Sequence, residues 1–146
     1  MRGSIKFEDR EQLFESVIDD LKLKKIDECY YPEIFGNFFT TFSAKDFLIK
    51  YVSDRSELSI QIASESEPSK WFDLSFIKNL ILRKEKLNSD NGDLNFEGIK
   101  KLNDFLKNNY EVINDLFNPK NYKITTAKIE TLLESEFKSN HPWIIE

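Results

Sequence analysis

Cys29 and His141 are the residues best suited to nucleophilic chemistry, and the chain has one of each type. A catalytic cysteine needs a neighbouring base or a positive helix N-terminus that lowers the pKa of its thiol. Cys29 precedes Tyr30-Tyr31-Pro32 with no helix start before it, and His141 lies in the last six residues. We therefore expect a packed thiol and a surface imidazole. A serine triad would need the same histidine, and the Gly-x-Ser-x-Gly elbow is absent.

Metal ligands and phosphate-binding loops are equally scarce in the sequence. One cysteine and one histidine cannot supply the four ligands of a structural zinc site. Residues 88–93 resemble a calcium loop in composition, but placing Gly92 at the sixth position puts Leu87 at the first and Gly98 at the twelfth. No two of the four glycines have Walker or dinucleotide-binding spacing. We predict no metal and no cofactor, and a polar loop over 88–93.

Acidic and aromatic residues in the middle of the chain form the strongest candidate site. Three carboxylates surround Trp71, as in a carbohydrate site, yet Glu65 and Glu67 lie in a Ser/Glu/Pro segment that does not fix their separation. Protein recognition suits the pattern better, because an aromatic anchor supplies affinity and acids speed association. We expect Trp71 or Phe72 to pack inside and the other to anchor a partner. The predicted partner-binding residues are Asp54, Glu57, Glu65, Glu67, Trp71 and Asp73.

The overall composition is that of an acidic globular domain. The chain has 146 residues, 40% hydrophobic and 32% charged, which predicts one domain over residues 1–146. The net charge of −5 lies wholly within the first 73 residues and disfavours nucleic acid and anionic membranes as partners, but favours a basic protein. No apolar run approaches the ~20 residues of a membrane helix, and the first residues lack a signal peptide. We expect a cytoplasmic protein.

Hydrophobic periodicity predicts a helix and then strands in the first half of the chain. Apolar residues recur at helical spacing over residues 9–26, with Asp9 as the N-terminal cap and Ile26 as the last residue of the apolar face. Gly36 marks a bulge in the first strand. The strands are predicted at residues 34–42, 47–53 and 57–64, where they form an antiparallel meander with a central second strand.

The second half of the chain is predicted to be helical after a loop at residues 64–70. Asp73 is expected to cap the first helix of this group. The helices are predicted at residues 74–86, 96–117 and 126–138. The apolar tail, residues 143–145, is expected to dock on the domain or on a second copy. Strands followed by helices indicate an α+β fold, in which about three or slightly more antiparallel strands pack against an N-terminal helix and a C-terminal helical group.

One stretch of the chain resembles the small immunity proteins of bacteria. It comprises the hairpin Lys50–Ile62, then Pro68, then Trp71-Phe72-Asp73-Leu74 and an apolar helix, and the likeness spans residues 47–82. Immunity proteins protect a cell against its own or a sibling's polymorphic or contact-delivered toxin. The resemblance implies a cytoplasmic, non-enzymatic inhibitor that binds and neutralises a cognate toxin domain, which the acidic surface predicts to be basic.

Two alternatives remain at the level of the sequence. The same features fit a non-enzymatic protein-interaction or regulatory module of a low-GC bacterium or phage. An enzyme with a dispersed active site is the other.

Overall fold

The computed structural model describes residues 11–55, 57–82 and 96–140. Several predicted features lie outside these residues: the Asp9 cap, the end of the helix at residues 74–86, the loop at residues 88–93, His141, and the tail at residues 143–145.

Helix α1, Glu11–Leu21, ends before the predicted position. Lys22 adopts a left-handed conformation with φ 54°, and the Leu23 backbone N–H donates to the carbonyl of Ile18 over 3.2 Å. This geometry is a Schellman-type helix end, in which the chain reverses after the last turn. The prediction of a helix to residue 26 was therefore wrong, and Ile26 is 50% exposed in the following strand.

Strand β1, Lys24–Tyr31, was missed by the sequence analysis. It pairs antiparallel with β2, Asn37–Ser43, and its register shifts between Lys25 and Asp27. An edge strand with such a bulge and four exposed residues at its start shows no regular alternation of apolar and polar side chains. That is why the periodicity of the sequence did not reveal it.

The predicted antiparallel meander is confirmed. Strand β3, Phe47–Asp54, pairs antiparallel with β2, and strand β4, Glu57–Ser64, pairs antiparallel with β3. A two-residue strand β5, Phe72–Asp73, completes a five-stranded sheet of order β1-β2-β3-β4-β5.

Within the described residues, the helical group contains four helices where the sequence predicts three. The helices are α2, Leu74–Ile81; α3, Phe96–Asn108; α4, Tyr110–Phe117; and α5, Tyr122–Asn140. The single helix predicted over residues 96–117 was wrong, because the chain departs from helical geometry at Asn109. The Asn109 side chain donates to the Phe105 carbonyl over 2.9 Å, which is the local bonding that makes asparagine unfavourable inside helices.

The core lies between one face of the sheet and the helices. Phe14 of α1 packs against Phe42 and Tyr51 with ring centroids 5.0 Å apart in both pairs. Each of the helices α1 to α5 in the described residues contributes to this core cluster. The α+β class with an N-terminal helix and a C-terminal helical group is therefore shown. Within the described residues, no helix is long and apolar enough to cross a membrane.

Candidate protein-binding surface

The second face of the sheet, which we call the outer face, contributes nothing to the core cluster formed with the helices. Alternation along paired strands fixes which residues share this face. One cross-strand row contains Cys29, Phe39, Val52 and Ser59, and the next contains Asp27, Thr41, Lys50, Gln61 and Asp73. Most of these side chains are partly exposed, so a partner can reach them.

Trp71 lies on the outer face, and its neighbour Phe72 is buried in the core at 7% exposure. The Lys50 ammonium is 4.4 Å from the centroid of the Trp71 ring and 5.4 Å from that of Phe39. Cation–π attraction therefore holds the lysine between two aromatic rings. Partial burial lowers the pKa of Lys50, while the Asp27 carboxylate acts in the opposite direction. The centre of the outer face therefore combines the charge of Lys50 with the apolar rings of Trp71 and Phe39.

Asp73 has a structural role in addition to its predicted role in binding. One carboxylate oxygen accepts hydrogen bonds from the backbone N–H of Ser75, over 2.9 Å, and from the Ser75 hydroxyl, over 2.7 Å. These bonds cap α2, as the sequence predicts. Asp73 therefore sits at the margin of the outer face in a fixed orientation.

The other predicted acidic residues fall into two separate groups. Asp54 pairs with Glu57 at the turn between β3 and β4, whereas Glu65 and Glu67 follow the opposite end of β4. The seven residue steps of this strand correspond to about 23 Å. These acidic residues consequently mark the two ends of strand β4, and the structure does not join them into one patch.

Two hydrogen bonds of Asn37 join the β1–β2 turn to the β3–β4 turn at the end of the sheet that carries Asp54. The Asn37 side-chain amide donates to Asp54 over 3.1 Å, and its carbonyl oxygen accepts from the backbone N–H of Arg55 over 2.7 Å. These two bonds connect the β1–β2 turn to the β3–β4 turn.

Exposed apolar residues at the β1–β2 turn are a feature that the sequence analysis missed. Tyr31 is 45% exposed, Ile34 52% and Phe35 73%. The predicted strand over residues 34–42 was wrong at its start, because Phe35 and Gly36 both have positive φ, at 56° and 68°. A proline followed four residues later by a glycine is a turn signal that could have identified this loop. Its aromatic residue was instead assigned to a strand.

A groove between α1 and the β1 edge is a further concave feature. It has a volume of about 280 Å³ and an apolar floor that includes Phe14 and Ile18. Glu28 stands at its rim but is already engaged, since it accepts from the Thr40 hydroxyl over 2.9 Å and from the Lys25 ammonium over 3.3 Å. The groove therefore combines an apolar lining with the charged side chains of Glu15, Asp19, Lys25 and Glu28.

Of the two residues considered for catalysis, Cys29 lies within the described part of the chain and His141 lies outside it. Cys29 is half-buried on the outer face, and it raises the pKa of Tyr31 through a side-chain hydrogen bond. Residues 11–55, 57–82 and 96–140 contain no group of three or more His, Cys, Asp or Glu side chains placed to hold a metal ion.

Comparison of the chain with protein-family models, with curated proteins and with solved structures finds no match. The surface itself is therefore the basis for inferring what the protein does.

Proposed function

We propose that the protein is an immunity-type inhibitor, which binds and neutralises a cognate bacterial toxin domain in the cytoplasm. The supporting observation is the outer face, an extended surface set apart from the helix-packed core, with Trp71 and Phe39 around Lys50 at its centre. A flat sheet face with aromatic residues suits a protein partner better than a small molecule, which needs a concave pocket.

The charge at the margin of the outer face defines the partner. Asp27, Asp54, Glu57 and Asp73 lie on this face against two lysines, Lys24 and Lys50, and the chain carries a net charge of −5. An acidic rim attracts a basic protein over long range and speeds its association. The proposed toxin domain is therefore basic at its binding surface.

The size of the outer face requires the turns to take part. Four strands about 4.8 Å apart and about 23 Å long give a flat area of roughly 440 Å². A standard interface buries about 800 Å² on each partner. The β1–β2 and β3–β4 turns adjoin the face and supply the remaining area.

The direct test first asks whether a toxin domain is encoded beside the gene for this protein, and its absence would count against the proposal; an encoded domain is then used as the partner. Wild-type protein is expected to bind this domain and to restore growth of cells that express it. Val52→Arg places a bulky cation in the middle of the outer face and should abolish both effects. Ile124→Arg is the matched control, because Ile124 is exposed on α5. Failure of the wild-type protein to bind contradicts the proposal, and binding without protection favours a regulatory module.

Binding kinetics distinguish the two acidic groups. If the β3–β4 turn faces the toxin, charge reversal of Asp54 and Glu57 should slow association and weaken the salt dependence of the association rate. Charge reversal of Glu65 and Glu67 makes the same test at the opposite end of β4. Trp71→Ala should mainly accelerate dissociation, because an aromatic anchor is lost. Circular dichroism of each variant shows whether it is folded. Unchanged kinetics in every folded variant would place the interface elsewhere.

A further inference from the structure

The β1–β2 turn has a backbone geometry that its sequence does not favour. The backbone N–H of Asn37 donates to the carbonyl of Ile34 over 2.9 Å, which closes a four-residue turn with Phe35 and Gly36 at its centre. Both central residues have positive φ, as in a type I′ turn, where Asn-Gly is the preferred pair. An aromatic residue is strained in the left-handed region because its Cβ approaches the following carbonyl.

The strained residue is also the most exposed of the large apolar side chains in the described residues. Phe35 is 73% exposed, and Tyr31 and Ile34 beside it are exposed as well. We call these three residues the apolar tip. Folding explains neither the strain nor the exposure, since an asparagine at position 35 would remove both. Strain and exposed apolar surface at the same position are typical of a binding site.

The apolar tip is held in place before any partner arrives. The hydrogen bonds of Asn37 to Asp54 and to the backbone of Arg55 join it to the neighbouring turn. The Arg55 guanidinium is 5.8 Å from the centroid of the Phe35 ring. A preorganised tip loses little conformational entropy on binding, which favours its use as an anchor.

The charges around the apolar tip decide between three possible occupants. Glu33 lies within the turn, and Asp54 and Glu57 flank the adjoining β3–β4 turn, which carries the cation Arg55. This excess of negative charge repels an anionic membrane. It also disfavours a second copy of the chain, because a two-fold contact would bring the same carboxylates together. A protein with a basic surface is the remaining occupant.

We infer that the apolar tip inserts Phe35 into an apolar pocket of a protein partner, and that this pocket has a basic rim. Phe35 fills the pocket, Ile34 and Tyr31 cover its edge, and the flanking carboxylates pair with its rim. The inference concerns any protein partner and does not depend on that partner being a toxin.

The test begins by replacing Phe35 with p-benzoylphenylalanine, a photo-crosslinking phenylalanine that carries an additional benzoyl group, in cells of the source organism. The same analogue at Ile124, an exposed position on α5, is the matched control. The expected result is crosslinking of one protein from position 35 and not from position 124. That protein is then purified, and its affinity is measured for the wild-type protein and for two variants.

Phe35→Asn is the decisive variant because it removes the anchor and improves the turn. It should raise the melting temperature by about 2–4 °C, since it restores the preferred Asn-Gly pair. It should also weaken affinity for the purified partner by about 30-fold or more. A more stable protein that binds less well excludes misfolding as the cause. Glu57→Lys should slow association with the same partner.

Three results would overturn the inference. One is a lack of dependence on Phe35, seen either as equal binding of the crosslinked protein to wild type and Phe35→Asn or as equal crosslinking from positions 35 and 124. Another is a crosslink to a second copy, together with dimers in analytical ultracentrifugation that Phe35→Asn dissociates. A third is binding to phosphatidylcholine–phosphatidylglycerol vesicles that Phe35→Asn abolishes. A crosslinked partner that is not a toxin contradicts the proposed function and leaves the inference intact.

Discussion

Tyr51 of strand β3 and Phe35 of the β1–β2 turn are aromatic residues with opposite surroundings. Tyr51 is 1% exposed, and its hydroxyl donates to the Asn103 side chain over 2.6 Å. Burial raises the pKa of Tyr51 well above the ordinary value of a tyrosine. The neutral phenol is thus favoured in the folded state, whereas Phe35 has most of its ring in water.

Tyr51 makes stability depend on pH in the alkaline range. Its folded-state pKa is raised, so its contribution is fully present below about pH 10 and is lost as the pH rises, because only the unfolded chain releases the proton. The free energy of unfolding should fall by at most about 1.4 kcal/mol per pH unit through this residue. Tyr51→Phe should cost about 1 kcal/mol at pH 7 and flatten the alkaline decline.

Urea unfolding at pH 7 to 11 checks this prediction, with Tyr122→Phe on α5 as a control for the loss of one hydroxyl. A decline in Tyr51→Phe as steep as in the wild type would show that other groups cause it.

The end of α1 shows how a single backbone position sets the boundary of an element. Lys22 occupies the left-handed position after the last turn, where glycine is preferred. Lys22→Gly should therefore stabilise the protein by about 0.5–1 kcal/mol. Lys24→Gly removes the same charge in β1 and should destabilise, because glycine weakens a strand. Thermal unfolding of both variants tests the pair, and a destabilised Lys22→Gly would contradict the assigned helix end.

Helix α4 is joined to the sheet by a pair of reciprocal hydrogen bonds. The backbone N–H of Asp46 donates to the buried Asn114 side chain over 2.8 Å, and the Asn114 amide donates to the Asp46 carboxylate over 3.0 Å. Asn114→Ala should lower the free energy of unfolding by about 1–3 kcal/mol, because the backbone N–H and the carboxylate of Asp46 both lose a hydrogen-bond partner. Asn114→Asp should cost more at neutral pH, since two carboxylates then face each other, and should recover in part at low pH.

Denaturant unfolding at pH 4 and pH 7 measures both Asn114 effects. Equal stability of Asn114→Ala and Asn114→Asp at pH 7 would contradict the expected repulsion between the carboxylates at positions 46 and 114.

The described part of the chain is organised around a core that the sheet shares with helices α1 to α5. We therefore expect a single cooperative unfolding transition for the described part of the chain. The Trp143→Phe variant leaves Trp71 on the outer face as the only tryptophan, so its fluorescence reports on the sheet, and far-UV circular dichroism reports on the helices. The two urea curves should coincide. Separate midpoints would show that the helices unfold independently of the sheet.

The sequence by itself determined the α+β class, the β2–β4 meander and the start of α2. These features depend on local patterns: alternation in Glu57–Ser64 puts Leu58, Ile60 and Ile62 on one face, and Asp73 can cap only the helix that follows it. The sequence also located the turn between the strands predicted at residues 47–53 and 57–64. Such patterns are sufficient because the residues that interact are close along the chain.

The tertiary structure alone decided the remaining features. Edge strand β1 exists because it pairs with β2, and its own residues carry no alternation. The separation of Asp54 from Glu65 follows from the length of β4. The exposure of Phe35 follows from the conformation of the β1–β2 turn, which is joined to β3 by the hydrogen bond between the side chains of Asn37 and Asp54. Pairing partners and exposure depend on contacts between residues far apart in the chain, and no local pattern specifies them.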